Sequence, residues 1–203
     1  CLSPQHRSGH CPPGNPLETA SARAGAAPTD LEASKRGLKR GLSERRRTVL
    51  LMLDETIITE TPPLYCCYGH IGAQVCIPIS GGHSRRILHG AINVGTGDVQ
   101  LLVTKNWTQR EHQHFLNVIR AHWRGWNIVL FEDRAKQHTC PGSRWMADAC
   151  AIEVRLLPRA TPELNAMDHL WRHTKGTVLS DRPTESIDRS AQAACDYVLG
   201  LSP

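Results

Sequence analysis

Long apolar stretches are missing from this 203-residue chain. No run approaches the roughly 18 consecutive apolar residues that a membrane helix needs. The first thirty residues also have no apolar core of the kind that defines a signal peptide. We therefore expect neither a membrane span nor a secretory leader.

Paired cysteine motifs are missing as well. None of the eight cysteines forms a Cys-x-x-Cys pair, and no histidines follow them at zinc-finger spacing, so we expect no structural zinc site. Several cysteines, such as Cys150, lie in apolar stretches, where a free thiol packs as a small hydrophobic group. This usage predicts a reducing, cytoplasmic compartment.

Excess charge is confined to the N-terminal quarter. Residues 1–47 hold nine Lys and Arg against four Asp and Glu, whereas residues 48–203 hold fifteen of each, so the net charge of +5 arises before residue 48. Seven of the basic residues are clustered: Lys35, Arg36, Lys39, Arg40, Arg45, Arg46 and Arg47. This density suits contacts with nucleic-acid phosphates, and it is equally typical of a solvated basic linker.

Residues 1–47 are rich in Pro, Gly, Ser and Ala and show no sustained apolar periodicity. Such a segment buries too little apolar surface to offset the entropy of ordering. We predict a disordered basic tail over residues 1–47 and one catalytic-sized domain over residues 48–203.

The rest of the chain alternates short apolar runs with turn signals. The runs predict strands at 49–53, 73–79, 87–94, 99–103, 127–131 and 153–157. Helices are predicted from Thr108, which has Glu111 as its capping-box partner, and from Thr161, as well as at 143–151 and 184–199. The order predicts an α/β fold with a mixed sheet flanked by helices.

Three acidic residues accompany these elements. Asp54 ends the run 49–53, and Asp133 follows the run 128–132. Asp168 lies between Leu164 and Trp171 on the packing face of its helix, so it is expected to point toward the sheet. If the three converge, they form a site for hard divalent cations, which prefer oxygen ligands. Each acid taken alone is more often a turn or capping residue.

Three segments, in order, carry a resemblance to a known family. They are Leu53-Asp54-Glu55-Thr56, the stretch from Leu130 to Thr139 and the stretch from Leu156 to Trp171, which contains Pro162-Glu163-Leu164-Asn165. Together they resemble the catalytic domain of DDE/D transposases of the mariner superfamily and its bacterial insertion-sequence relatives. Thirty-four residues separate Asp133 from Asp168, which is similar to the spacing in mariner-type elements.

This resemblance implies a ribonuclease-H-like fold in which Asp54, Asp133 and Asp168 are catalytic and bind two Mg2+ (or Mn2+) ions. It implies DNA strand cleavage by water and strand transfer by a DNA 3'-hydroxyl. The implied partners are transposon ends, target DNA and a second copy of the chain on DNA. The implied location is the bacterial cytoplasm, in association with the nucleoid.

Other residues close to the three acids in the sequence are candidates for supporting roles. Five residues are candidates for DNA contacts: Arg134, Lys136, His138, Arg172 and Lys175. For His138 a hydrogen-bonded structural role is an equal alternative. Glu55 and Glu132 rank below the three Asp as ligands because adjacent residues of a strand point to opposite faces.

Some features depart from the family pattern. Arg134 stands where many relatives have Asn, Asp168 where bacterial relatives have Glu, and Ala166 where Pro is usual. No helix-turn-helix region is found in residues 1–47. Two alternatives therefore stay open, namely an inert remnant that binds DNA and a non-specific nuclease of the same fold.

The predicted helix that carries Asp168 contains other polar residues that could have a function. His169 and His173, at i and i+4, could bind a soft metal, but such a pair is more often solvent-facing. Asn165 either supports Asp168 or is a first-turn polar residue.

Overall fold

The computed structural model describes residues 47–65, 70–71, 76–77, 79, 81–182 and 186–202. The predicted tail, apart from Arg47, lies outside these residues, and so does most of the predicted strand at 73–79. Of that strand, Cys76, Ile77 and Ile79 are described, and none of them is in a strand.

A five-stranded mixed sheet forms the centre of the described structure. Its strands are β1 (Thr48–Thr59), β2 (Arg85–Asn93), β3 (Val99–Thr104), β4 (Asn127–Glu132) and β5 (Ile152–Leu156). The spatial order is β3-β2-β1-β4-β5. Strand β2 is antiparallel to both of its neighbours, β1 and β3, whereas β4 is parallel to β1 and β5 is parallel to β4. The predicted mixed sheet is confirmed, and among the described residues two antiparallel strands, β2 and β3, follow β1.

The helices cover both faces of the sheet. They are α1 (Gln109–His122), α2 (Lys136–Thr139), α3 (Pro141–Ala149), α4 (Ala166–Thr174) and α5 (Ile187–Leu201). A 3-10 turn (Pro162–Leu164) precedes α4, and a π-helix (Lys175–Leu179) follows it. Among the described residues, no helix is both long and apolar enough to cross a membrane.

Helix α1 begins where its sequence predicts. The Thr108 hydroxyl accepts a hydrogen bond from the Arg110 N–H and contacts the Glu111 carboxylate. The cap is confirmed, although Glu111 contacts the hydroxyl rather than the backbone N–H of a standard capping box. Phe115, Leu116 and Ile119 on its inner face are fully buried against Leu51, Leu53 and Leu130 of the sheet.

The other face of the sheet carries α4 and α5. Met167 and Trp171 of α4 pack with Leu88 of β2, and with Ala191 and Val198 of α5. Since successive side chains of β1 point to opposite faces, Asp54 lies on the α4 side and Glu55 on the α1 side. The fold thus separates these two neighbouring acids.

Candidate active site

Asp54 lies inside β1 rather than at its end. The strand continues for five residues after Asp54, to Thr59, and Asp54 is paired with Gly90 of β2. The prediction that Asp54 closes the strand was therefore wrong. Glu55 and Thr56 interrupt the apolar run in the sequence. Their side chains are nevertheless buried, and both residues remain paired with β2.

Asp133 directly follows β4, as predicted. Its Oδ1 accepts a hydrogen bond from the Ala135 N–H at 2.9 Å and lies 2.7 Å from His138 Nδ1. The loop after β5 is held beside it, because Leu157 N–H donates to the Glu132 carbonyl and Arg134 Nε donates to the Leu157 carbonyl. Asp133 is thus both a turn residue and a wall of the cleft described below.

Asp168 lies in the first turn of α4, and this helix begins later than predicted. Thr161 does not cap it, since its hydroxyl donates to the Pro158 carbonyl. The cap is Asn165, whose Oδ1 accepts from the Met167 N–H at 3.0 Å. Asn165 Nδ2 also donates to the Leu53 carbonyl at 3.0 Å, which fixes the start of α4 beside Asp54.

Gly90 permits the close approach of α4 to the sheet. A Cβ atom at this position would lie 2.4 Å from Met167 Cε and 2.6 Å from Trp171 Cζ2, well inside van der Waals contact. Trp171 Nε1 reaches the Asp54 carbonyl at 3.4 Å. Met167 and Trp171 thus occupy the space that a side chain at position 90 would need, and their packing against Gly90 brings α4 and Asp168 toward Asp54.

The three acids line one cleft. Asp54, Asp133 and Asp168 share a cavity of about 220 Å3 with Asn165 and the loop 157–162. Three separate segments of the sequence therefore meet at the end of β4, where β1 and α4 flank the cavity. This arrangement can present several carboxylate oxygens to one bound cation or cation pair.

The electrostatics of the cleft favour a cation. Burial, together with the negative charges of Glu55, Asp168 and Asp133, raises the pKa of Asp54 to about 7. The contact with His138 lowers the pKa of Asp133. The carboxylates thus repel one another, and a divalent ion would relieve that repulsion.

Basic residues surround this cleft. Arg172 pairs with Asp168 one helical turn away, and Arg134 and Lys136 are exposed. Burial lowers the pKa of Lys175, while the carboxylates of Asp54 and Asp168 oppose that shift. Arg172 and Lys175 thus place positive charge beside Asp168 and Asp54, and Arg134 and Lys136 follow Asp133 in the chain.

His138, the fifth candidate for a DNA contact, is instead buried beneath the cleft. Its Nε2 lies 3.0 Å from Glu55 Oε1, and its Nδ1 faces Asp133. Burial alone would lower its pKa, but the carboxylates of Asp133 and Glu55 raise it to about 11. This geometry favours the structural alternative for His138.

Two buried histidines were not among the candidate residues from the sequence. His89 of β2 and His112 of α1 lie close to Glu55. The sequence signal for each is a histidine at a position where the surrounding pattern predicts a buried apolar residue. His89 interrupts a buried strand, and His112 precedes Phe115, Leu116 and Ile119 on the buried face of its helix.

The other histidine pair does not come together as a metal site. His169 Nε2 lies 3.2 Å from the Glu163 carbonyl, and His173 Nε2 lies 3.0 Å from the Tyr197 hydroxyl. Each ring therefore has a partner of its own, which supports the non-metal interpretation of this pair.

A protein-family model matches most of this chain. The family model described as "DDE superfamily endonuclease" matches residues 49–190, which include all three acids. No curated protein sequence matches the chain significantly.

The fold is similar to that of solved Mos1 mariner transposase complexes. A paired-end complex with Mg superposes with a TM-score of 0.65 at 17% identity, and covers 93% of this chain and 60% of the Mos1 chain. A strand transfer complex gives 0.64 at 18% identity, with coverage of 92% and 60%. A paired-end complex with Mn gives 0.63 at 15% identity, with coverage of 93% and 61%. The sheet and its helices thus have the ribonuclease-H-like fold, and the chain spans about three fifths of the length of these neighbours.

Proposed function

The chain belongs to the DDE superfamily endonucleases, and from this premise we propose that it is the catalytic region of a DNA transposase. In this proposal Asp54, Asp133 and Asp168 would hold the divalent metal required for strand cleavage and strand transfer. The observation that carries the proposal is the convergence of the three acids on one cleft.

The donor set fits Mg2+ or Mn2+. Three carboxylates on three different elements offer only oxygen atoms, which are the preferred ligands of hard cations. Burial and the neighbouring acids raise the pKa of Asp54, and a bound cation would offset both effects. Two bound ions would activate the attacking oxygen and stabilise the leaving oxygen of a phosphodiester. Two of the Mos1 structures are themselves described as complexes with Mg and with Mn.

The other residues of the cleft position the acids. His138 keeps Asp133 ionised, because its ring faces the Asp133 carboxylate at 2.7 Å. Asn165 fixes the first turn of α4 against β1, which sets where Asp168 projects. Arg134, Lys136, Arg172 and Lys175 would contact the DNA backbone, as basic side chains do at phosphates.

The partners belong to the same proposal. We propose that the chain binds transposon ends and target DNA and acts as a dimer on DNA, and that it works at the nucleoid of a bacterial cytoplasm. The Mos1 neighbours are described as paired-end and strand transfer complexes, which supports DNA as the partner. We also retain residues 48–203 as the catalytic domain and residues 1–47 as a basic tail.

Strand cleavage tests the proposal directly. The full chain is incubated with Mg2+ or Mn2+ and a plasmid that carries the DNA on either side of the coding sequence, where the ends of a mobile element lie. Asp133→Asn and Asp168→Asn are expected to lower the cleavage rate at least about a hundredfold, because each removes a metal ligand. Asp148→Asn is the matched control, since Asp148 is an exposed residue of α3 outside the cleft.

Two results would contradict the proposal. One is cleavage that survives in both variants. The other is cleavage that is equally fast on a plasmid without the flanking DNA, which would favour the non-specific nuclease. Circular dichroism of each variant separates loss of activity from loss of folding.

A further inference from the structure

A second cluster of ionisable side chains is buried on the α1 side of the sheet. It contains Glu55 of β1, His89 of β2, His112 of α1, Glu132 of β4 and His138 of α2. None of these side chains is more than 4% exposed. Burying so many polar groups together is costly unless they satisfy one another or bind a cation.

Three of these side chains turn ligand-type atoms toward one point. The atoms Glu55 Oε1, His112 Nδ1 and His138 Nε2 lie within 4.8 Å of one another. The Glu55 oxygen is 3.0 Å from His138 Nε2 and 3.9 Å from His112 Nδ1. A tetrahedral ion with bonds of about 2.0–2.1 Å separates its ligand atoms by roughly 3.3 Å, so the spacing is already close to that of a bound metal.

The cluster satisfies itself only in part, since Glu55 Oε1 is hydrogen-bonded to His138 Nε2 at 3.0 Å and to His89 Nδ1 at 3.3 Å. In the part of the chain that the structure describes, three side-chain atoms of the cluster have no hydrogen-bond partner: His112 Nδ1, His138 Nδ1 and Glu132 Oε2. His112 is 1% exposed, and its free Nδ1 is the atom that faces Glu55. A buried imidazole nitrogen without a partner is uncommon, and an ion bound in this position would satisfy it.

The remaining ring nitrogens face carboxylates. His112 Nε2 lies 3.5 Å from Glu132 Oε2, and His138 Nδ1 lies 2.7 Å from Asp133 Oδ1. A metal-bound histidine commonly places its other ring nitrogen against a carboxylate, which fixes the tautomer and the ring orientation. Asp133 is in close contact with His138, whereas Glu132 lies at the outer limit of a hydrogen bond from His112.

We propose that Glu55, His112 and His138 form a second metal site, distinct from the carboxylate cleft, for a transition-metal ion such as Zn2+. Two imidazoles and one carboxylate suit a borderline ion of this kind, whereas Mg2+ prefers oxygen ligands alone. The site links β1, α1 and α2, so the bound ion stabilises the sheet beneath the cleft. Because His138 also contacts Asp133, the ion holds the ring that faces one of the three cleft acids.

Cobalt is the probe for this site, because Co2+ replaces Zn2+ and absorbs visible light. The full chain, purified without a histidine tag and stripped with a chelator, is titrated with Co2+. We expect one tightly bound Co2+ ion at this site, with the intense absorption of a low-coordinate site, and displacement by Zn2+. His112→Gln is expected to lower the Co2+ affinity at least a hundredfold.

The chain offers a matched control on the same helix. His114 is exposed and two residues from His112, so His114→Gln should leave the affinity unchanged. Asp168→Asn should also retain Co2+ binding, since Asp168 lies in the other site. This last variant separates the second site from the proposed catalytic one.

Three results would overturn the proposal. They are the absence of Co2+ binding in the wild type, affinity that is unchanged by His112→Gln, and equal losses in the His112 and His114 variants. Should His112→Gln fail to fold, Glu132→Gln gives the decisive measurement, because it keeps all three ligands. A supporting carboxylate contributes about 10- to 100-fold to metal affinity, so unchanged affinity in this variant would also overturn the site.

Discussion

The ionisation of Asp54 depends on its burial and on the charges of the neighbouring acids. Burial and three neighbouring acids raise its pKa to about 7 in the metal-free protein. The folded state therefore retains a proton on Asp54 that the unfolded chain releases near pH 4. Between those pH values this residue makes the folded state progressively less stable as the pH rises.

Asp54→Asn tests this pH dependence. Asn cannot ionise, so the free energy of unfolding of the metal-free variant, relative to wild type, should increase between pH 4 and pH 8. Chemical unfolding at several pH values measures the difference. The difference between variant and wild type isolates the contribution of Asp54 from those of other groups with shifted pKa values. One such group is Glu132, whose pKa is also raised to about 7 by burial. A difference that stays constant with pH would contradict this account of the cleft.

At the scale of elements, the close packing of α4 on β2 sets the position of Asp168. Gly90→Ala would force a Cβ atom against Met167 and Trp171. We expect a loss of about 1–3 kcal/mol in the free energy of unfolding, as in other overpacked cores. Thermal or urea unfolding measures it. Gly95→Ala is the control, because its Cβ would meet only the Asn93 side chain at 3.4 Å. Equal effects at both positions would refute the packing argument.

The start of α4 depends on Asn165. Asn165→Ala removes the helix cap and the hydrogen bond to the Leu53 carbonyl. The expected cost is about 1–3 kcal/mol, together with weaker Mg2+ binding, because Asp168 is no longer fixed relative to Asp54. Urea unfolding and Mg2+ titration measure the two effects. Asn106→Ala, at an exposed position, should change neither.

Parts of this site could be predicted from the sequence because short-range patterns determine them. The apolar runs before Asp54 and Asp133 identified β1 and β4, and the segment around Asn165 marked the third acid. The start of α4 could not be predicted in this way, since Thr161-Pro162 is as good a capping signal as Asn165. What decides between them is the hydrogen bond from Asn165 to Leu53, a contact between residues far apart in the chain.

The buried cluster was missed for a related reason. The sequence ranks Glu55 below Asp54 as a ligand, because a single strand shows only that the two side chains point to opposite faces. The partners of Glu55 come from β2, α1 and α2, and no local pattern brings His89, His112 and His138 together. The strand β1 extends past Asp54 for the same reason, since these partners accommodate a polar residue in its interior.

At the scale of the whole molecule, the excess positive charge before residue 48 should determine how DNA binding responds to salt. Replacing Lys35, Arg36, Lys39 and Arg40 together by Gln should weaken binding and reduce the slope of log K against log salt by as much as about 3 to 4. Fluorescence anisotropy at several salt concentrations measures that slope. An unchanged slope would assign the basic cluster to a solvated linker instead.

The proposed activity depends most on whether the three acids act as one metal site. Thermal unfolding of the full chain with and without Mg2+ or Mn2+ tests this most directly. At a hundredfold excess over Kd, a ligand that binds only the folded state stabilises it by about 2.7 kcal/mol. We predict an increase in Tm for the wild type and Asp148→Asn, and none for Asp54→Asn, Asp133→Asn or Asp168→Asn. An unchanged wild-type Tm, or an increase that persists in all three cleft variants, would contradict the account.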